Sequence, residues 1–204
     1  MIKITWTCLL CIFSAQLFAQ DYFKSFNRFS PVERASSHGV GVNLGSGMEN
    51  IELKNDDGEK TTKTATRAWI TKGVFWPLDV GLGLASLEEA QSFSGYFQYT
   101  LYEAFQTPAF AIRGSHSQII NSKTEDLKTS NLQFVTSWGY RVISLWASAG
   151  YSFHQQETTE PLGEWTRDVG LYWHVFPPYI AISGELKTAQ YSPQSKTLKL
   201  SVGI

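Results

Sequence analysis

Cysteine is almost absent from this chain of 204 residues. The two cysteines, Cys8 and Cys11, both lie in the first twenty residues. An extracytoplasmic domain without disulfide bonds must obtain its stability from a sizeable core or from a membrane. The four histidines are also scattered, without HExxH spacing and without a neighbouring cysteine, so the sequence predicts neither a metal nor another cofactor.

Basic clusters and long apolar runs are missing as well. After the first twenty residues, no segment holds even a dozen apolar residues in a row, which excludes spanning helices there. Without Lys3, 16 basic residues stand against 18 acidic ones, and no basic face is present to neutralise phosphates. A nucleic-acid partner is therefore not expected.

The first twenty residues, MIKITWTCLLCIFSAQLFAQ, have the layout of a secretory signal peptide. Lys3 supplies the positive end, an apolar run extends from Ile4 to Phe13, and small and polar residues lead to Ala19. The run is shorter than the roughly 20 apolar residues that a spanning helix needs. We predict that residues 1–20 are a signal peptide, so that the mature chain has no cysteine.

The rest of the chain divides into residues 21–35 and residues 36–204. The first part, DYFKSFNRFSPVERA, has phenylalanines at spacing three, but Pro31 interrupts any helix, so an irregular N-terminal segment is predicted. From Ser36 onward, apolar and polar residues alternate with period two, and β-branched and aromatic residues are enriched. This pattern is typical of strand after strand in a single domain.

Nine breaks separate ten predicted strands, and short breaks alternate with longer polar ones. A strand that crosses the outer membrane needs about 9–11 residues, which segments such as 130–140 and 143–153 supply. The pattern predicts a closed antiparallel transmembrane β-barrel of about ten strands, or alternatively eight, with short periplasmic turns and longer extracellular loops. The short breaks lie at 76–79, 106–108, 141–142 and 177–178, and the longer ones at 55–60, 87–92, 121–129, 155–164 and 191–196.

Each predicted strand has an apolar face and a polar face. A soluble barrel would turn the apolar face inward, whereas a membrane barrel turns it toward lipid. The polar face is rich in Gly, Ser, Thr and Asn and poor in Lys and Glu, unlike a surface in water. A narrow lumen needs such small residues beside large ones. We therefore predict outward-facing apolar residues, among them Val42, Leu44, Leu82, Leu84, Phe97, Phe134, Leu145, Leu198 and Leu200.

Aromatic residues gather near the strand ends, where lipid headgroups would lie. Aromatic side chains are favoured there because one part stays apolar while another part hydrogen-bonds. The predicted aromatic girdle consists of Trp76, Phe105, Tyr140, Trp165, Phe176 and Tyr179.

The signal peptide, the hairpin rhythm and the last predicted strand, KTLKLSVGI at 196–204, resemble the small outer-membrane β-barrel proteins of Gram-negative bacteria. The last strand ends on Ile204, where that family usually has an aromatic residue. The resemblance covers residues 36–204 and is one of pattern. It implies a location in the outer membrane, contact with membrane lipid and lipopolysaccharide, and recognition of the last strand by the barrel-assembly machinery.

Charged residues on the polar faces would project into the lumen. A selective pore would favour one sign of charge, whereas both signs are present in comparable number here. Buried charges must pair, and small barrels are filled by side chains. We therefore predict an internal salt-bridge network formed by Arg67, Arg113, Arg141, Asp168, His174, Glu185, Lys187 and Lys199.

Two enzymatic interpretations fit the residues less well than a non-enzymatic barrel does. The lipid A deacylases of the outer membrane use a His and a Ser two residues apart on the lipid-facing wall. Here His116 lies between Ser115 and Ser117, which point to the opposite face, and Gln118 occupies the matching position. The omptin proteases use acidic pairs and a His, for which the nearest candidates are His154 and the acidic pair at 56–57, itself typical of a turn.

The sequence thus predicts a monomeric, non-enzymatic outer-membrane protein with a polar lumen filled by side chains. Its role would lie in envelope structure or surface interaction. Acidic residues in the long loops could bind divalent ions that bridge lipopolysaccharide, although solvated loop tips explain them more simply. A narrow diffusion pore is the alternative function.

Overall fold

The structure is a computed structural model that describes Lys24, Ser25, Arg28 and eight ranges of the chain. The ranges are 41–54, 60–88, 90–103, 108–121, 126–139, 142–156, 159–176 and 179–203. The predicted signal peptide lies outside them. No helix in these ranges is long and apolar enough to cross a membrane.

Ten antiparallel strands form one closed barrel, in which every strand pairs with its neighbours in sequence. The predicted strand count of ten is therefore confirmed. The strands are β1 (Val42–Lys54), β2 (Lys60–Phe75), β3 (Leu78–Leu87), β4 (Ala90–Tyr102), β5 (Ala109–Asn121), β6 (Leu127–Gly139), β7 (Ile143–Gln156), β8 (Thr159–Phe176), β9 (Ile180–Ala189) and β10 (Gln194–Gly203).

The first and last strands close the barrel. β1 pairs with β10 from Asn43 opposite Gly203 to Glu52 opposite Gln194. A closed sheet leaves no edge with unpaired backbone groups, which is the condition for placing strands in hydrocarbon. Because the strand number is even, β1 begins and β10 ends at the same rim of the barrel, called here the turn rim. The opposite rim, formed by the predicted long connections, is called the loop rim.

The two sets of connections differ less in length than the sequence predicts. At the loop rim, β3 pairs with β4 as far as Leu87 opposite Ala90, and β7 with β8 as far as Gln156 opposite Thr159. Two connections that were expected to be long are therefore tight, because their strands continue into them. Glu88 adopts the left-handed backbone conformation, with φ of 53°, in the first of these turns.

The apolar faces point away from the barrel axis, as predicted. Leu82 is 50% exposed, Leu145 61% and Leu198 63%, whereas their neighbours Gly83, Ser144 and Thr197 are buried. This alternation follows from the period-two geometry of strands, which sends successive side chains to opposite faces. The barrel therefore carries most of its large hydrophobic residues outside and many hydroxyl and charged side chains inside.

Two lumen glycines make room for two large rings. A Cβ on Gly45 would lie 2.2 Å from the Trp69 ring, and a Cβ on Gly170 would lie 2.4 Å from Trp146 Nε1. Both indoles are buried inside the barrel. Small and large residues thus alternate across the lumen, as a narrow barrel requires.

The lumen also contains an apolar layer near the loop rim, which differs from the predicted polar filling. These residues lie at inward positions, because the strand alternation of β1 to β6 places them there. Their side chains fill that end of the lumen by hydrophobic packing rather than by hydrogen bonds. The layer consists of Ile51, Ala65, Ala85, Leu87, Ala90, Ile119 and Leu127.

Candidate functional site: the filled lumen

A buried carboxylate on β1 organises the largest ion cluster in the lumen. Glu49 accepts hydrogen bonds from Arg67 Nε at 2.6 Å, Ser195 Oγ at 2.6 Å and Lys187 Nζ at 3.2 Å. Arg67 adds a second contact through its terminal guanidinium nitrogen. Glu49 itself is fully buried. The three donors come from β2, β9 and β10, so this carboxylate holds four strands together.

Lys187 connects this cluster to a second carboxylate. Its Nζ lies 3.2 Å from Glu49 and 3.8 Å from Glu185, and Lys199 Nζ lies 2.6 Å from Glu185. Lys199 also lies over the Trp69 ring, 5.9 Å from its centroid, in a cation–π arrangement. The result is a continuous chain of alternating charges across β2, β1, β9 and β10.

A second cluster surrounds Asp168 on β8. Arg28 donates to Asp168 Oδ1 at 2.6 Å, Gln133 Nε2 donates to Oδ2 at 2.6 Å, and Ser148 Oγ donates to Oδ2 at 3.3 Å. Arg28 is only 2% exposed. Lys187 Nζ also lies 3.4 Å from the carbonyl oxygen of Arg28, which links the two clusters.

Arg28 belongs to the N-terminal segment and not to a strand. The segment was predicted to be irregular, and the sequence analysis gave none of its residues a place inside the barrel. Ser25, in the short helical stretch formed by Lys24 and Ser25, is fully buried, and Arg28 reaches Asp168. The described part of the segment therefore occupies lumen space.

Arg113 on β5 forms a further set of contacts inside the barrel. Its Nε and one terminal nitrogen donate to Gln98 Oε1 at 3.2 and 3.0 Å. Its guanidinium carbon lies 5.6 Å from the centroid of the Trp146 ring. A polar amide on one side and an aromatic face on the other thus contact this cation.

Near the loop rim, Glu164 on β8 anchors the connection between β9 and β10. The carboxylate accepts hydrogen bonds from the backbone nitrogens of Tyr191 and Ser192 at 3.0 and 2.9 Å, and from Ser192 Oγ at 2.5 Å. His154 Nε2 lies 2.8 Å from Glu164, and its Nδ1 lies 3.1 Å from Thr129 Oγ1. This set fixes the loop over the lumen.

The structure places most of the predicted charged residues in the lumen. His174 is half-buried and packs edge-on against Tyr172, at a centroid distance of 4.8 Å. Arg141 lies outside the described residues. The other six are buried and lie in the clusters above: Arg67, Arg113, Asp168, Glu185, Lys187 and Lys199.

Several lumen residues were missed by the sequence analysis. Glu49 could have been found, because it alternates in register with Asn43 on the polar face of β1. Glu164 was assigned to a long loop, although β8 already includes it. Arg28 carried no periodic signal, since nothing in an irregular segment indicates its destination.

The predicted girdle residues that the structure describes lie on the outer surface near strand ends. Phe176 and Tyr179 stack at a centroid distance of 6.1 Å beside the β8–β9 turn. Trp165 packs edge-on against Tyr151 toward the other rim. The exposed fractions are 62% for Trp76, 61% for Trp165, 62% for Phe176 and 53% for Tyr179, while Phe105 and Tyr140 lie outside the described residues.

The candidate enzymatic residues do not form a complete catalytic arrangement in the described ranges. His116 points outward, and its Nδ1 lies 2.9 Å from Ser130 Oγ on the neighbouring strand. Ser115 and Ser117 point the other way, and residues 56 and 57 lie outside the described residues. Nowhere in those ranges do three His, Cys, Asp or Glu side chains come together as a metal site requires.

The buried charges balance in number. Inside the described barrel, five cations stand against five carboxylates, and most of them form the ion pairs described above. Opposite charges buried in contact satisfy one another and give the lumen no single sign. The cations are Arg28, Arg67, Arg113, Lys187 and Lys199, and the carboxylates are Glu49, Asp79, Glu164, Asp168 and Glu185.

The chain resembles solved outer-membrane barrels. An outer membrane channel from Pseudomonas putida F1 aligns with a TM-score of 0.57 and 8% identity, over 87% of this chain and 100% of that one. A bacterial polysaccharide outer membrane secretin aligns with a TM-score of 0.47 and 11% identity, over 79% of this chain and 64% of that one.

The KdgM porin, solved in complex with disordered oligogalacturonate, gives a TM-score of 0.42 and 8% identity, over 80% of this chain and 98% of that one. No protein-family model matches the sequence, and a search of curated proteins found no significant match. The closed ten-stranded barrel and the likeness to the Pseudomonas putida channel together show that the chain has the fold of outer-membrane β-barrel proteins.

Proposed function

We propose that this protein resides in the outer membrane of a Gram-negative bacterium as a non-enzymatic barrel with a lumen closed by side chains. The observation that carries the proposal is the continuous ion network from Arg67 through Glu49, Lys187 and Glu185 to Lys199, joined by Arg28 on Asp168. Its role lies in envelope structure or in surface interaction through the loop rim.

The chemistry of the lumen supports a structural role. Most ion pairs in the network join residues of different strands, and only Lys187 and Glu185 share one, β9. Opening a path would therefore require breaking several buried pairs. Breaking a buried pair by removing one partner typically costs about 3–5 kcal/mol. Because several such pairs would have to separate together, the wild-type barrel is expected to stay closed.

Planar-bilayer recording tests the proposal. Purified full-length protein should insert without discrete ohmic conductance steps, because the buried ion pairs and the side chains around them would occupy the lumen. Folding is verified on the same sample by the gel-mobility change of a folded barrel on heating, so silent bilayers cannot reflect unfolded protein. Stepwise conductance would overturn the closed lumen and favour the alternative, a narrow pore.

The proposed absence of enzymatic activity has its own test. Expression of the protein should leave both the mass of lipid A and a panel of peptide substrates unchanged. A change that reverts with His116→Ala or His154→Ala would contradict the proposal. The proposed partners are membrane lipid, lipopolysaccharide and, through β10, the assembly machinery, and we propose that the protein is a monomer.

A further inference from the structure

The outer wall carries a cleft of about 430 Å³ where β8 and β9 approach the loop rim. Arg167 and Thr188, which face each other across the strand pair, lie in it. The neighbouring outward positions Ala149, Trp165 and Val169 carry no carboxylate, so the guanidinium of Arg167 faces outward without an acidic neighbour on the wall. The cleft is lined by Trp165, Arg167, Thr188, Ala189 and Gln190.

The depth of Arg167 corresponds to a lipid headgroup. Below it, the outward positions of β8 are all apolar: Val169, Leu171, Trp173 and Val175. At about 3.3 Å per residue and a tilt of about 40°, the strand rises about 23 Å from Phe176 to Arg167. The apolar band of an outer-membrane barrel is about 25 Å tall. Arg167 is therefore the first outward-facing charged position on β8, and it lies at the edge of that band.

An apolar groove of about 500 Å³ lies directly beneath the cleft, on β8, β9 and the neighbouring strand β7. Leu145, Val169 and Leu186 contribute to its lining, together with the strand residues around Gly170 and Gly184. The register places Val169 opposite Leu186 one outward step below Arg167 and Thr188. Gly184 lies at an outward position where a Cβ would meet no atom within 4 Å, so space is open above it.

We propose that the cleft and the groove together form a binding site for one phosphorylated lipid of the outer leaflet. Its phosphate binds the Arg167 guanidinium, and one acyl chain lies over Gly184. A guanidinium presents several N–H donors in a fork that matches phosphate oxygens. The groove offers one acyl chain a fixed apolar surface to pack against. This site rests on the proposed outer-membrane location, but not on the closed lumen.

Native mass spectrometry of the full-length protein in detergent, titrated with lipid A, tests the site. Two substitutions address its two halves: Arg167→Gln removes the charge, and Gly184→Leu fills the groove. Each has a matched control. Lys72→Gln removes an exposed outward cation near the turn rim, and Gly95→Leu fills the other outward glycine position with no atom within 4 Å.

Wild-type protein should bind one lipid A, and Arg167→Gln and Gly184→Leu should each weaken binding about tenfold. Both controls should bind like wild type. Lipid A with its phosphates removed should bind wild type and Arg167→Gln equally, because Arg167 then has no phosphate to contact.

Three results would overturn the site: no specific lipid A binding by wild type, equal losses in all four variants, or equal loss of phosphorylated and dephosphorylated lipid in Arg167→Gln. The heat-dependent gel mobility and bilayer recordings of the same samples report on the proposed function separately. A folded, non-conducting protein that fails to bind lipid A would therefore refute the site alone.

Discussion

Glu49 shows what a single inward residue contributes to this barrel. Its carboxylate satisfies Arg67, Lys187 and Ser195 at once, and no water contact is available to replace them because Glu49 is fully buried. The pair formed by Glu52 and Lys196, three positions further along β1, has the same chemistry on the exposed side, with the ammonium 2.6 Å from the carboxylate. The two carboxylates therefore form a natural comparison.

Replacing Glu49 by Gln should lower the free energy of unfolding by about 3–5 kcal/mol, because Arg67 and Lys187 each lose a buried contact with a carboxylate. The measurement is the urea midpoint of the barrel refolded into phospholipid vesicles. As control, Glu52→Gln should leave that midpoint near the wild-type value, since exposed pairs contribute little. Equal midpoints for both variants would show that the Glu49 cluster contributes little to stability.

At this scale, the sequence revealed which face a residue occupies but not its partner. Arg67 and Glu185 could be placed in the lumen from period-two alternation alone. Their pairing with Glu49 and Lys199 depends on strand register and barrel stagger, which alternation does not encode.

At the scale of elements, the strands and the N-terminal segment differ in how well the sequence defines them. All ten strands were predicted, because alternation repeats in each of them. β3 and β7 were predicted to end too early, and β4 and β8 to begin too late. Polar residues such as Gln91 and Glu164 were assigned to loops, although backbone pairing includes them. Hydrogen bonding between strands continues beyond the point where the apolar pattern stops.

The N-terminal segment is predicted to be coupled energetically to β8 through Arg28 and Asp168. Arg28→Gln and Asp168→Asn should each destabilise the barrel, because each leaves a buried charge without its partner. The double variant should cost less than the sum of the two, with a coupling free energy of about 1–3 kcal/mol. Urea unfolding of the four proteins measures this cycle.

Additive effects of the two substitutions would contradict the coupling. Ser130→Ala on the outer wall provides a control partner, because Ser130 contacts His116 and lies on the opposite face from the Asp168 cluster. Its effect should add to that of Arg28→Gln without coupling.

At the scale of the whole molecule, the inverted arrangement of apolar and polar faces was the decisive sequence inference. It followed from the small polar residues of one face and from the aromatic residues near strand ends. The apolar layer around Ile51 and Leu87 was not predicted. These residues occupy inward positions in the strand alternation, but they are apolar like the residues of the outer wall.

Single cysteines can test the orientation, since the predicted mature chain has none. Leu145→Cys, on the outer wall, should react with a membrane-soluble maleimide when the protein is in vesicles. Ser148→Cys lies three residues further along the same strand and faces the lumen. It should react only after unfolding, because Ser148 is 6% exposed. Reaction of the folded Ser148→Cys protein with a water-soluble maleimide would instead indicate an accessible interior.

The apolar layer near the loop rim has a consequence for any attempt to engineer permeability. Water withdraws from a narrow passage lined by aliphatic side chains, and such a constriction blocks ions by dewetting alone. Removing charges around Glu49 and Asp168 would therefore wet that part of the lumen but leave Ile51, Leu87 and Ile119 lining the β1–β6 side of the loop rim. A designer would have to make those side chains polar as well before ions could pass along that side.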